Sequence, residues 1–221
     1  KPDFENTIKA LDHSGYQLER ITQILFNINS AETNDEIQTL TQEISPILSD
    51  FNNDIMTNKA LFENVKKVYH QSKESSASFS AEQITLIHKN YKSFVRNGAL
   101  LNDADKKTLR KIDSELSTLS LKFGQHVLAE TNAYELHVKD KTQLTGLPDQ
   151  QLEEAEELAK VKNKEGFIFT LQYPSYIPFM KFCDNRKLRK ELALAFGKRG
   201  FQNNENNNEN IIVSIVNLRD Q

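Results

Sequence analysis

The feature that most constrains this chain is the spacing of its apolar residues, which changes period near residue 133. Up to that point large aliphatic side chains return every three or four residues, the spacing that gathers them on one face of an α-helix. Ile8, Leu11, Leu18, Ile21, Leu25 and Ile28 form the first such row, with Gly15 as a kink or break. Thr33-Asn34-Asp35-Glu36 reads as a capping box opening a second long helix. Its row is Ile37, Leu40, Ile44, Ile47, Phe51 and Ile55, and Pro46 within it is expected to bend the helix or restart it. A further helical segment runs through Leu61, Phe62, Val65, Val68 and Tyr69 to a polar loop at residues 71–76. Ser80-Ala81-Glu82-Gln83 is a second capping box, ahead of Ile84, Ile87, Tyr91, Phe94 and Val95. Asn102 or Asp103 caps the next helix, whose seam is Leu109, Ile112, Leu116, Leu119 and Phe123. Such three-four spacing suits long helices packed side by side.

Beyond residue 133 the period shortens to two. Tyr134, Leu136 and Val138 alternate with Glu135, His137 and Lys139, the mark of a half-buried strand. Phe167, Phe169, Leu171 and Tyr173 alternate in the same way. Between them Leu147-Pro148-Asp149 starts a short helix, acidic at Glu153, Glu154, Glu156 and Glu157 and basic at Lys160, Lys162 and Lys164, in agreement with the helix dipole. Helix returns at Pro174, and residues 202–210, rich in Asn and Glu, form a loop and helix start. The expected fold is therefore mainly α: a long-helix bundle with a small two-stranded β element around residues 133–173. Its organisation is a helical bundle at 1–131, a strand-helix-strand insert at 132–173, and helices at 174–221. No internal repeat has a solenoid period.

Bulk properties narrow the function classes. With 221 residues, 38% hydrophobic and 27% charged, the chain is long enough to bury a real core and reads as a polar, soluble protein. A formal net charge of −3 supplies no global attraction to nucleic acid or an anionic membrane. No apolar run approaches the roughly 18–20 residues of a membrane span. Cys183 is the single cysteine, so neither an internal disulfide nor a multi-thiolate metal site can form. Lys1 is no initiator, and the apolar pattern IIVSIVNLRDQ runs to the last residue; both ends are expected to be cuts in a longer chain.

Catalytic motifs are missing. Zinc hydrolysis commonly uses His-Glu-x-x-His on one helix, and no two of His13, His70, His88, His126 and His137 have that spacing. His126 and Glu130 are four apart and share a helix face, but two ligands do not make a site. His137 falls on the outer face of a strand, and Cys183 beside Phe182 reads as a buried structural thiol. There is no Gly-x-Ser-x-Gly elbow and no phosphate-binding glycine motif. The basic residues Lys181, Arg186, Lys187, Arg189, Lys190, Lys198 and Arg199 are interrupted by Asp184 and Glu191. Leu188, Leu192 and Phe196 give that segment an amphipathic packing face, so it reads as a solvated helix side rather than a nucleic-acid surface. The carboxylates of Glu153, Glu154, Glu156 and Glu157 read as solvated too. No catalytic, cofactor-binding or metal-ligating residue is assigned.

The wording of the chain carries more. PDFENTIKALDHSGYQLERITQILFNINSAETNDEIQTL, SPILSDFNNDIMTNKALFENVKKVY, LNDADKKTLRKIDSELSTLSLKFGQHVLAETNAYELHVKD, YPSYIPFMKFCDNRKLRKELALAFGKRGF and NENNNENIIVSIVNLR occur in this order. Together with Leu144-Thr145-Gly146-Leu147-Pro148, they resemble the N-terminal region of bacterial peptidyl-dipeptidases, zinc peptidases related to thimet oligopeptidase and oligopeptidase A. The resemblance covers essentially the whole chain. It implies a parent enzyme that removes C-terminal dipeptides from short peptide substrates, with zinc on a His-Glu-x-x-His helix in a catalytic domain absent from these residues. It implies that these helices form part of one wall of the substrate channel, lead into the missing catalytic half, and carry no cofactor or activity of their own. No nucleic acid and no membrane span are expected, and the bacterial cytoplasm or periplasm is left open. Two alternatives stand beside it: an oligopeptidase A-like endopeptidase fragment, and a standalone helical protein-interaction module.

Overall fold

Capping residues and apolar rows become helices in the computed structural model, which describes residues 1–221. The chain forms two units, residues 1–121 with 217–221 and residues 122–216. In the first, Asp3 caps a wide helical turn, Phe4–Lys9, by accepting from the Asn6 backbone N–H at 2.8 Å while Asn6 Oδ1 accepts from the Asp3 N–H at 3.0 Å. The helices that follow are α1 (Ala10–Ser14), α2 (Tyr16–Ala31), α3 (Asp35–Met56), α4 (Lys59–Glu74) and α5 (Ala81–Arg96). Gly15 interrupts the first pair for a single residue. α6 (Asp103–Ala133) opens on Asn102, whose Oδ1 accepts from the Asp105 N–H at 2.9 Å.

The capping box at Ser80 is present in full, with Gln83 as its reciprocal partner. Elsewhere the boundaries move. Asn34 rather than Thr33 caps α3, its Oδ1 accepting from the Ile37 N–H at 2.9 Å. α3 continues through Pro46 instead of restarting there. α4 extends to Glu74, so the loop expected at 71–76 is reduced to Ser75 and the tight turn Ser76–Ser78. The core of this unit is Ile8, Phe62, Val65, Val68, Ile87, Phe94 and Ala99, supplied chiefly by the paired helices α4 and α5. Lys106 Nζ donates to the Thr57 carbonyl at 3.1 Å and Arg110 pairs with Asp54 at 2.6 Å, pinning the end of α3 to α6.

The second unit contains the β element. β1 (Leu136–Val138) and β2 (Phe167–Phe169) are antiparallel, with Leu136 opposite Phe169, His137 opposite Ile168 and Val138 opposite Phe167. α7 (Asp149–Val161) joins them and packs along β2 through the small residues Ala155 and Ala159. The alternation expected over 167–173 is only half realised. Ile168 is buried along with Phe167 and Phe169, because both faces of β2 are covered. The strand also ends at Phe169: Leu171 is buried in a turn, and the exposed Tyr173 starts α8 (Tyr173–Phe182). α9 (Arg186–Gly197) and α10 (Glu209–Asp220) follow. The fold is mainly α with one small two-stranded sheet. No helix is long and apolar enough to cross a membrane.

Candidate functional site

The spacing of His126 and Glu130 brings both onto one side of α6, where they hold the loop between α9 and α10. Glu130 accepts from the Gly200 N–H at 2.6 Å and from Asn204 Nδ2 at 2.8 Å. His126 Nδ1 lies 2.9 Å from Oδ1 of the fully buried Asn208, which donates to the Phe123 carbonyl at 3.2 Å. Gly200 has φ +74°, and an added Cβ would sit 2.6 Å from Asn208 Nδ2, so only glycine fits this turn. Arg199 lies 3.6 Å over the Phe196 ring and donates to Thr131 Oγ1 at 2.9 Å. These polar residues tie a loop down.

The other residues weighed from the sequence lie apart from this loop. Cys183 is buried, and that burial pushes its thiol pKa up, away from the reactive thiolate. Its carbonyl receives an Arg189 guanidinium N–H, which removes one cation from the basic run. Leu192 is buried beneath that run, while Arg186, Lys187, Lys190 and Lys198 face solvent. His137 is exposed, with Nε2 2.6 Å from the Glu165 carbonyl. Of the α7 carboxylates, Glu156 pairs with Lys160 at 3.3 Å and Glu154 accepts from Gln150 and Gln151. Sequence reading passed over Glu135, which takes Lys162 and, at 2.6 Å, Lys164; the two ammonium groups hold its pKa down at about 2. The zinc that the resemblance implies does not fit these residues, since no three His, Cys, Asp or Glu side chains come together as a ligand set.

Two features of the first unit were not legible as sites in the sequence. The α2–α3 pair is turned partly inside out. Ile21, Ile24 and Ile28 on α2 and Leu40, Ile47 and Phe51 on α3 are exposed, Ile21 and Ile47 at 65% each. Buried instead are polar side chains, Asn29, Thr41 and Asn53, with Thr41 Oγ1 donating to Asn29 Oδ1 at 3.2 Å across the pair. Apolar rows of this size on a protein surface mark a place where something else packs. The second feature is an aromatic ladder between α4 and α5. Phe94, Phe62, Tyr91 and Tyr69 follow one another with ring centroids 6.0, 5.8 and 4.0 Å apart, and His88 lies 5.0 Å from Tyr69. The ladder rises from the core to an open groove of about 510 Å³.

No family model matches the chain. Individual proteins do. Dipeptidyl carboxypeptidase of Escherichia coli (strain K12) is 34% identical over 221 residues, which is 100% of this chain and 32% of that protein. The Salmonella typhimurium dipeptidyl carboxypeptidase is 33% identical over 219 residues, 99% of this chain and 32% of its own length. Oligopeptidase A of Haemophilus influenzae is 29% identical over 222 residues, 98% of this chain and again 32% of its own length. This chain is homologous to dipeptidyl carboxypeptidase and oligopeptidase A. The chain spans about a third of the length of the curated relatives it matches. The homology agrees with the resemblance read from the residues, and it extends across both structural units.

Proposed function

We propose that this chain is the non-catalytic helical part of a zinc-dependent peptidyl-dipeptidase that removes C-terminal dipeptides from oligopeptides. The observation that carries the reading is the 34% identity over all 221 residues with a dipeptidyl carboxypeptidase, against 29% with the oligopeptidase A of similar coverage. In this reading the chain forms part of the substrate-channel wall, and the exposed apolar rows of α2 and α3 give it surface to offer a substrate or the rest of the protein. Zinc and the His-Glu-x-x-His helix would belong to the remainder of the polypeptide, where the metal would activate a bound water as nucleophile. The 221 residues alone contribute shape: they narrow access to short, unstructured peptides.

The test is to read the gene past Gln221 and assay the product of the whole reading frame. Expected are a continuing frame that reaches His-Glu-x-x-His, stoichiometric zinc, and release of dipeptides from a free C-terminus but not from its amide. Cleavage of the amidated peptide at internal bonds would assign the endopeptidase activity of the oligopeptidase A relatives instead. A stop codon near Gln221 would favour a standalone interaction module. The 221-residue chain by itself is expected to bind no stoichiometric zinc and to release no dipeptide; turnover by that chain would overturn the reading.

A further inference from the structure

The groove between α4 and α5 is built from donors. Tyr69, His88, Lys89, Tyr91, Lys92 and Val95 line it, and none of its lining side chains is acidic. Lys73 extends the cationic rim, its Nζ 4.6 Å from the Tyr69 ring centroid. None of Lys73, Lys89 and Lys92 belongs to an ion pair of this chain. The nearest acid along α5, Glu82, is committed at the helix start, where it accepts from Ser80 Oγ at 2.7 Å. Lys89 and Lys92 are one turn apart on the same helix, so their charges repel each other until an anion lies between or beside them. In a chain of net charge −3 this is a local reversal of sign.

The ladder beneath the lysines restricts what that anion can be. Tyr69 and Tyr91 are stacked nearly parallel, at 7° and 4.0 Å. Lys73 lies over Tyr69, and Phe62 stacks on Tyr91 at 5.8 Å. The ring faces are thus already engaged, leaving edges and hydroxyls for a ligand, and neither hydroxyl is bonded within the protein. A nucleobase needs a free aromatic face to stack on, whereas a carboxylate needs N–H and O–H donors. Ile84 and Val95 add apolar wall, the surface for an aliphatic or aromatic neighbour of that carboxylate.

We propose that the α4–α5 groove is a binding site for an acidic peptide segment, whose Asp or Glu carboxylates are taken by Lys89, Lys92 and the Tyr69 and Tyr91 hydroxyls. The proposal is argued from the groove's own residues and not from the peptidase reading, so the two fail separately. The 221-residue chain, labelled with ¹⁵N, is titrated with acetyl-Glu-Leu-Glu-Phe-Glu-amide and with its Gln-substituted counterpart; the blocked termini exclude a contribution from a free C-terminal carboxylate. The expected result is amide shifts confined to α4 and α5, an affinity for the acidic peptide roughly tenfold above that for the Gln peptide, and loss of that difference in added salt. Lys89→Glu with Lys92→Glu abolishes the preference. Tyr69→Phe with Tyr91→Phe, which keeps the ladder and removes only the hydroxyls, weakens it by several-fold. Equal affinity for the two peptides, shifts elsewhere in the chain, no shifts at all, or tighter binding of a single-stranded oligonucleotide would each overturn the proposal.

Discussion

The β-containing insert and the α2–α3 pair both carry regular apolar rows, one of period two and one of helical period, and end in opposite states. In the insert every residue of β2 is buried; Phe179 of α8, which packs on that strand, is completely enclosed, and its ring meets Phe169 edge-on at a centroid distance of 4.6 Å. In α2–α3 Ile21, Ile28, Leu40, Ile47 and Phe51 of the apolar rows are exposed and Leu25, Ile37, Ile44 and Ile55 only half-buried, while Asn29, Thr41 and Asn53 are enclosed. A short chain segment can seal both faces of one strand when a helix and a second hydrophobic turn lie close by in sequence. Two long helices lying against each other seal only the strip where they touch, and the remainder of each row stays open. The insert is finished as a core; the helix pair presents unfinished surface.

Three experiments press on that contrast, in descending size of effect. Phe179→Ala in the finished core is expected to cost about 3–5 kcal/mol, because the cavity cannot collapse around a residue touched on all sides. Urea denaturation gives the value, and a loss under 1 kcal/mol, on the order of a surface change, would show that the insert is less tightly packed than described. The rim of the insert should respond to acid. The Glu135 pKa is held near 2, below its ordinary 4.5, by Lys162 and Lys164, so its contribution is complete above that ordinary value and is lost as pH falls through about 2. The urea midpoint is therefore expected to fall across that window in the native chain, with a flatter profile in Glu135→Gln. The two lysines are partly exposed, so the effect is smaller than that of Phe179→Ala and shrinks in salt. At the unfinished surface, Ile21→Ser with Ile47→Ser is expected to shift stability by no more than about 0.5 kcal/mol per site. A shift as large as that of the core variant would mean that these side chains are covered after all.

How much of this was legible in the sequence differs from element to element. Caps at Ser80 and Asn102 were readable because a side chain and the backbone N–H it serves lie within three residues. The strand pair was readable from its period of two, but the burial of Ile168 was not, since alternation assumes that one face of a strand is wet. Of the bend or restart expected at Pro46, the restart does not occur: α3 runs through the proline and its missing N–H donor. His126 and Glu130 were correctly placed on one side of a helix. Their employment by Gly200, Asn204 and Asn208 depends on residues far along the chain, and no local signal announces it. The groove was hidden for the same reason. Tyr91 counted as one more apolar member of the α5 row and Tyr69 as one of α4, and no local pattern marks Lys89 or Lys92.

By itself the sequence determined most of the helices, the small sheet after a helical start, and the resemblance to a peptidase family, which the homologues bear out. These are properties of neighbouring residues or of their order. Tertiary structure alone decided which apolar rows are covered, which histidine and glutamate hold a loop, and which tyrosines and lysines meet in one groove. The physical reason is that a helical period fixes the direction a side chain takes from its own axis, but not what another helix brings to meet it.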